Sequence, residues 1–283
     1  MRWQGRAGSG NIEDRRGMGV GLPVGGGIGG LVLLLLFSAL TGQNPLDMIN
    51  SGGSTTPGQN ETVGTTGTGA DDPQKEFVSV VLADTEETWR QIFRERGEAY
   101  APPILVLFEN ATQSACGMGS AAMGPFYCPA DRKVYLDLSF FRDLEQRFGA
   151  PGDFAQAYVI AHEVGHHIQT VTGLSERLAQ ARGRASEAQS NTLSVRQELQ
   201  ADCFAGVWGH YAARKDLLHP GDAEEGLRAA AAIGDDRLQQ QSQGRVVPES
   251  FTHGSSEQRV EWLRRGMEAG NMDACNTFSQ ETR

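Results

Sequence analysis

Hydrophobic residues recur at helical spacing in several stretches of the chain. Over residues 76–97 the apolar positions lie three and four apart and Gly97 follows the last of them, which predicts a helix that ends there. The same spacing predicts helices over residues 154–170, 194–215, 222–241 and 256–269. Ser194 and Gln197 have the spacing of a capping box and are expected to begin the helix over residues 194–215.

Strand patterns lie between the first two predicted helices. Residues 104–108 are continuously apolar, which is typical of a buried strand. Residues 126–128 and 133–140 flank a turn at residues 129–131 and predict two paired strands. The pattern as a whole therefore predicts an α+β domain that is mostly helical and contains a small antiparallel sheet.

A long uncharged stretch precedes the globular part of the chain. Gly17 to Leu46 contains no charged residue, and residues 20–42 have the length and character of one transmembrane helix. The basic residues before it are Arg2, Arg6, Arg15 and Arg16. The next basic residue is Lys75, so the positive-inside rule predicts a cytoplasmic N-terminus. A cleaved signal peptide is the alternative, disfavoured by the bulky Leu40 at the cleavage position.

Composition divides the chain into four parts. We predict a cytoplasmic segment over residues 1–19, a transmembrane anchor over 20–42, a flexible linker rich in Gly, Ser and Thr over 43–75, and a globular domain over 76–283. The net charge of -10 and the pI near 5.1 argue against a nucleic-acid partner.

Four cysteines, an even number, are compatible with two disulfides in an oxidising compartment. Cys116 and Cys128 flank a short loop and are expected to pair. Cys203 is then expected to pair with Cys275, and a buried free thiol at Cys203 is the alternative.

His162 and His166 enclose the sequence His-Glu-Val-Gly-His within a predicted helix. Positions i and i+4 lie one turn apart on the same helix face, so both imidazoles can reach one zinc ion. Glu163 lies beside them, where the carboxylate of this motif serves as a general base. The alternative is a helix whose histidines are only solvated or hydrogen-bonded.

A catalytic zinc ion requires a third protein ligand. The spacing that supplies a third histidine is absent, because Gln169 and Thr172 occupy its positions. Glu198 on the next predicted helix is the candidate third ligand. Asp202 lies one turn later on the same face and can accept a hydrogen bond from a ligand histidine. The alternative is a solvated acidic pair.

This ligand set predicts hydrolysis of peptide bonds by a zinc-activated water. Glu163 is expected to take the proton of that water and return it to the leaving amine. His253 precedes a predicted helix and can donate a hydrogen bond to the developing oxyanion, as Tyr211 can on weaker grounds. The alternative for His253 is a hydrogen bond to the backbone at the start of that helix.

The chain resembles the bacterial neutral zinc metallopeptidases of the YpfJ-like family over nearly its whole length. The matching segments are residues 11–17, 124–129, 162–167, 196–202 and 251–256. The resemblance implies a zincin-like domain of the gluzincin type, with HExxH and ExxAD motifs, behind one N-terminal membrane anchor. Residues 252–259 also resemble a late Thr/Ser-His-Pro…Arg motif of HtpX-like membrane peptidases, with Gly254 in place of the proline.

The combined prediction is a single-pass protein of the cell (inner) membrane, with a cytoplasmic N-terminus and a periplasmic or extracellular zinc metallopeptidase domain over residues 76–283. Its expected partners are a peptide or protein substrate and, through the anchor, the lipid bilayer. A catalytically silent anchored scaffold with a structural zinc site is the alternative. The presence of Glu163 favours the enzyme, because a structural site does not require a general base.

Overall fold

The computed structural model describes residues 1–17 and 72–278, which belong to one compact unit. The strands of the described residues are β1 (Ile12–Asp14), β2 (Ile104–Phe108), β3 (Ala111–Ser114), β4 (Gly117–Ser120), β5 (Phe126–Cys128) and β6 (Lys133–Asp137). Their α-helices are α1 (Pro73–Glu95), α2 (Ser139–Gln146), α3 (Asp153–Val171), α4 (Leu174–Arg182), α5 (Glu187–Arg214), α6 (Asp222–Ala232), α7 (Asp235–Gln243) and α8 (Ser256–Ala269). The domain is therefore α+β and mostly helical, as predicted.

Four strands form one sheet in the order β1-β2-β6-β5. β1, β2 and β6 are mutually parallel, and β5 runs antiparallel to β6. The prediction of an antiparallel sheet is therefore wrong for this mixed sheet. The chain between β2 and β6 passes through the separate β3–β4 ribbon and then β5, so it re-enters the sheet in its original direction.

The core lies between one face of the sheet and the helices. Leu105, Leu107 and Leu136 of the sheet share one buried cluster with Ile160 and Val164 of α3. Both predicted disulfides are present. The first joins Cys116 to Cys128. The second joins Cys203 to Cys275 and ties the C-terminal part of the chain to α5.

The helices agree with the sequence pattern except where local capping overrides it. α8 has its predicted bounds, and α1 and α3 differ by less than a turn. α5 begins at Glu187 because Ser186, rather than Ser194, forms the capping box, with Gln189. The helix predicted over 222–241 is interrupted at Gly234 and becomes α6 and α7.

Two short helices, α2 and α4, have no counterpart in the sequence prediction. The strand predicted over residues 133–140 ends at Asp137, whose carboxylate accepts hydrogen bonds from the backbone nitrogens of Asn110 and Ser139. These bonds turn the chain out of β6 into α2. After Gly173, which adopts the left-handed conformation, the chain resumes as α4.

The N-terminal segment is part of the same fold as the helices. β1 pairs with β2 along its length, and the backbone nitrogen of Arg2 donates to the carbonyl of Leu217. Arg16 bridges Asp14 to Asp72, the N-cap of α1, with Nη1 2.5 Å from Oδ2 of Asp72. Arg16 and Asp72, which precede and follow residues 18–71 in the chain, are thus in direct contact.

This packing corrects the predicted localisation. A single membrane span over residues 20–42 would place β1 and β2 on opposite sides of a bilayer, whereas the two strands are hydrogen-bonded neighbours. The predicted single-pass topology, with a cytoplasmic N-terminus and an external catalytic domain, is therefore wrong. Cleavage of a signal peptide would likewise remove β1 from the sheet.

Within the part of the chain that the structure describes, no helix is long and apolar enough to cross a membrane. The predicted anchor over 20–42 and most of the predicted linker over 43–75 lie outside the described residues.

Candidate metal centre

α3 and α5 carry the predicted ligands and approach each other closely where those ligands lie. His162 and His166 are one turn apart on α3, and Glu198 lies on α5. A Cβ atom at Gly165 would lie 2.9 Å from the carbonyl oxygen of Ala201, so a larger residue would force the helices apart. The glycine within the His-Glu-Val-Gly-His sequence therefore lets the two helices meet.

The side chains of His162, His166 and Glu198 converge. Nε2 of His162 lies 3.1 Å from Oε2 of Glu198, and Nε2 of His166 lies 3.4 Å from Oε1 of the same carboxylate. The candidate ligand atoms of the three residues all lie within 4.8 Å of one another. Ligand atoms around one tetrahedral zinc ion are roughly 3.3 Å apart, so these separations suit a shared ion.

A fully buried carboxylate holds His162 from behind. Nδ1 of His162 lies 2.8 Å from Oδ1 of Asp202, which has no exposed surface. Arg259 of α8 donates to both oxygens of Asp202, at 2.9 and 3.0 Å, and the hydroxyl of Tyr158 donates to Oδ1 at 2.6 Å. Because the carboxylate accepts a hydrogen bond from Nδ1–H, the neutral His162 ring keeps its lone pair on Nε2 for a metal ion.

Sequence reasoning placed Asp202 behind the ligands but missed its clamp, Arg259 and Tyr158. Arg259 is 57 residues from Asp202 in the chain, and the pattern of α8 does not show which neighbour its buried face meets. The one available signal was its position at the end of the 252–259 stretch, which resembles a peptidase motif. Tyr158, one turn before His162, carried no signal beyond its place on the buried face of α3.

An amide relay holds the other histidine. Nδ1 of His166 lies 2.9 Å from Oε1 of Gln169, whose amide nitrogen donates to the backbone carbonyl of Gln197 and to Oε1 of Gln200. Gln200 in turn donates to the carbonyl of Cys275 at 3.0 Å. The amide oxygen of Gln169 thus orients His166 as Asp202 orients His162. Sequence reasoning considered Gln169 only as a failed third ligand.

The charges of the site favour a cation between the ligands. Burial lowers the pKa of His162, but the Asp202 and Glu198 carboxylates outweigh burial and raise it to about 10. Burial raises the pKa of Glu198, but His166 and His162 outweigh burial and hold it well below its ordinary value. The partly buried Glu198 carboxylate therefore lies between two imidazoles with no cationic side chain paired to it in the described ranges, and a divalent cation satisfies that arrangement.

Glu163 opens onto a pocket of about 900 Å³ that also contains the three candidate ligands. Its side chain makes no hydrogen bond to another residue in the described ranges. Burial raises its pKa, and the nearby His166 and His162 reduce that rise. The apolar part of the pocket wall includes Phe126, Tyr127, Phe140, Phe148 and Val159. A partly desolvated carboxylate beside candidate metal ligands is suited to accept and return a proton.

His253 lines the same pocket, at the loop before α8. Its Nδ1 lies 3.2 Å from Oδ1 of Asp235, and the other oxygen of Asp235 accepts its backbone N–H at 2.6 Å. The hydrogen bond that His253 donates to Asp235 raises the pKa of His253, while burial opposes the rise. Gly254 adopts a φ of 93°, which proline cannot adopt, so this loop differs from the proline-containing motif that it resembles.

His167, which follows the candidate ligand His166 in the chain, and Tyr211, which the sequence suggested as an oxyanion donor, make their contacts away from the candidate ligands. His167 hydrogen-bonds the hydroxyl of Tyr127 and the carbonyl of Ala101 through its two ring nitrogens, and burial lowers its pKa to about 4. It is therefore a neutral packing residue. Tyr211 lines a separate surface pocket with Glu95 and is not among the residues that surround the candidate metal site.

Comparison with known proteins agrees with the character of this site. The family model described as "Putative neutral zinc metallopeptidase" matches residues 1–278 of the chain. No solved structure matches the chain.

Two curated relatives illustrate the range of similarity. The chain is 50% identical over 298 residues to "Uncharacterized protein YpfJ" of Escherichia coli (strain K12), with 99% of each protein covered. It is 41% identical over 224 residues to "Uncharacterized protein Rv2575" of Mycobacterium tuberculosis (strain ATCC 25618 / H37Rv), covering 75% of this chain and 74% of that protein.

Proposed function

The chain belongs to this neutral zinc metallopeptidase family, and we propose that it hydrolyses peptide bonds with Glu163 as the general base. One observation carries the proposal. His162, His166 and Glu198 offer their ligand atoms to a common point, in a pocket that Glu163 also lines. A structural metal site does not require a pocket-lining carboxylate beside its ligands.

The residues present fit a zinc ion. Two imidazole nitrogens and one carboxylate oxygen form the donor set of catalytic zinc sites built on this motif. A zinc ion held by these residues supplies Lewis acidity, which polarises a carbonyl group and makes water more acidic. Asp202 and Gln169 keep the two imidazoles oriented toward the ion.

Glu163 carries the proton in the proposed reaction. Its carboxylate accepts a proton from the attacking water as the water oxygen bonds to the peptide carbonyl carbon. The resulting carboxylic acid then gives that proton to the amide nitrogen as the carbon–nitrogen bond breaks. Burial raises the pKa of Glu163, which brings the two protonation states closer in energy near neutral pH.

His253 stabilises the negative charge that develops on the carbonyl oxygen. Its Nδ1 is engaged by Asp235, which leaves the Nε2–H to donate within the pocket. Because Asp235 raises the pKa of His253, the protonated ring, which is the stronger donor, persists to higher pH than in a free histidine.

β5 is the proposed docking strand for the substrate. It lies at the end of the sheet order, and Phe126 and Tyr127 of this strand line the pocket. An extended peptide can add to such an edge through backbone hydrogen bonds, which brings its carbonyl groups across the candidate metal site.

The test uses the full chain loaded with zinc. The comparison is between wild type, Glu163→Gln and the exposed control Glu145→Gln, with zinc content measured by mass spectrometry and hydrolysis followed on a quenched-fluorescent peptide library. We expect one zinc per chain in all three and a loss of turnover of about 100- to 10,000-fold in Glu163→Gln alone. A fourth variant, Glu198→Gln, is expected to lose both zinc and turnover.

Two outcomes would contradict the proposal. Substoichiometric zinc in folded wild-type protein would remove its premise, and equal turnover by Glu163→Gln would remove its mechanism. Stoichiometric zinc whose chelation unfolds the domain, with no hydrolysis of any peptide, would instead support a silent scaffold with a structural site.

A further inference from the structure

Three guanidinium groups line the pocket, and they differ in their partners. Arg259 donates from Nε and Nη2 to the two oxygens of the buried Asp202. Arg147 is exposed, with its guanidinium 5.2 Å from the ring centroid of Phe148. Arg182 is partly buried, and within the described ranges it has no carboxylate within ion-pair distance. Arg182 is therefore the pocket arginine that is both held in place and left unneutralised.

Arg182 is the last residue of α4 and is held beside the candidate metal ligands. Its Nη2 donates to Oε1 of Gln197 at 2.7 Å, and Gln197 directly precedes Glu198 on α5. Its Nε is buried and has no hydrogen-bond partner. A guanidinium has five N–H donors, so most of its hydrogen-bonding capacity is unused.

The surroundings of Arg182 are unfavourable for a lone cation. Burial lowers the pKa of its guanidinium, and Glu198 is the charged group that opposes this effect. In the proposed enzyme, however, the charge of Glu198 is shared with the metal ion. A partly desolvated cation of this kind is stabilised when an anion arrives, and the planar fork of arginine matches a carboxylate in shape.

We propose, on the basis of the peptidase function above, that Arg182 binds a carboxylate group of the peptide substrate close to the scissile bond. The pocket lining contains no lysine among the described residues. The wall formed by β5, α2 and the residues just after α2 is aromatic instead, with Phe126, Phe140 and Phe148. The preferred substrate therefore combines an apolar side chain with a carboxylate near the cleaved bond.

Two parts of a peptide offer this carboxylate, its C-terminus and an aspartate or glutamate side chain. Four quenched-fluorescent peptides of otherwise identical sequence separate them: a free C-terminus or a carboxamide, each combined with Glu or Gln after the cleaved bond. Mass spectrometry locates the cleavage site in each. The same four sequences, labelled for fluorescence anisotropy, report binding to zinc-loaded Glu163→Gln, which does not depend on turnover.

We expect wild type to favour one carboxylate-bearing peptide over its neutral counterpart by about 10- to 100-fold in kcat/KM. Arg182→Gln should lose that preference, because its kcat/KM for the carboxylate-bearing peptide falls toward its value for the neutral counterpart. Arg182→Lys should retain part of the preference because it keeps the charge without the fork. Arg147→Gln, the control at the pocket rim, should retain all of it.

Equal cleavage of the four peptides by wild type, or a preference that survives in Arg182→Gln, would overturn the role of Arg182. If Arg182→Gln fails to fold by circular dichroism, the wild-type and Arg182→Lys comparisons decide the matter alone. Absence of cleavage for every peptide would contradict the peptidase function. In that case the anisotropy series still accepts or rejects Arg182 as a carboxylate-binding residue.

Discussion

Two histidine–aspartate pairs border the pocket and differ in their surroundings. In the buried pair, Nδ1 of His162 lies 2.8 Å from Asp202, and the side chains are 9% and 0% exposed. In the pocket pair, Nδ1 of His253 lies 3.2 Å from Asp235, and the side chains are 53% and 11% exposed. The two pairs share the same chemical groups but have different freedom to move.

The neighbours of each aspartate explain the difference. Arg259 and Tyr158 surround Asp202 with donors, so the His162 ring is fixed in one orientation, as a metal ligand requires. Asp235 instead accepts backbone N–H groups from residues 252–254 and shapes the loop that carries His253. Burial with charged partners therefore fixes the candidate ligand His162, whereas exposure leaves the His253 ring less constrained.

Breaking the clamp of the buried pair is expected to have the largest effect. Arg259→Met leaves the Asp202 carboxylate buried without its cation and should lower the free energy of unfolding by about 3–5 kcal/mol. Arg265→Met is the control on the same helix, because Arg265 pairs with Glu261 at the surface and should change stability by about 0–1 kcal/mol. Urea denaturation with a chelator present separates this effect from zinc binding, and equal losses in the two variants would argue against the clamp.

Neutralising each aspartate in turn tests whether the pairs differ in their relation to the metal. Asp202→Asn weakens the hydrogen bond that orients His162 and should reduce zinc affinity by about 10- to 100-fold. Asp235→Asn should leave zinc affinity within about twofold, because His253 is not one of the converging ligands. Competition with a chromophoric chelator measures both, on variants shown to be folded. A similar loss in the two variants would remove the distinction.

The pH dependence of activity tests the pocket pair, with the smallest expected effect. The hydrogen bond to Asp235 raises the pKa of His253, so the protonated donor is lost, and kcat/KM falls, as pH rises through that pKa. Asp235→Asn should shift this alkaline limb to lower pH by removing the cause of the rise, and His253→Gln should flatten it. An unchanged limb in Asp235→Asn would contradict the role of His253.

The contribution of the His253–Asp235 pair to folding stability depends on pH in the same direction as its contribution to activity: both decrease as pH rises. A histidine whose pKa is raised by folding stabilises the protein below its ordinary pKa, and this contribution disappears as pH rises through the raised value.

The sequence alone placed the residues of the candidate metal site on two helices, because helical spacing is a local property. It placed His162, Glu163 and His166 on one helix and Glu198 with Asp202 on another, and the structure brings these helices together. The disulfide pairs followed from counting four cysteines and from their spacing. The main helices followed from the period of their hydrophobic residues. The start of α5 was predicted wrongly because Ser186, and not Ser194, caps that helix.

The tertiary structure alone decided which distant residues support that site. Arg259 reaches Asp202, and Gln200 links the Gln169 relay to Cys275, across separations that no local pattern encodes. It also decided the place of residues 12–14, because three residues have no period and become a strand only by pairing with β2. The composition of the uncharged stretch predicted a membrane span. The pairing of β1 with β2 instead places the residues before and after that stretch on the same side of any bilayer. Local chemistry therefore identified the candidate reacting groups, and long-range packing determined how they are held and what surrounds them.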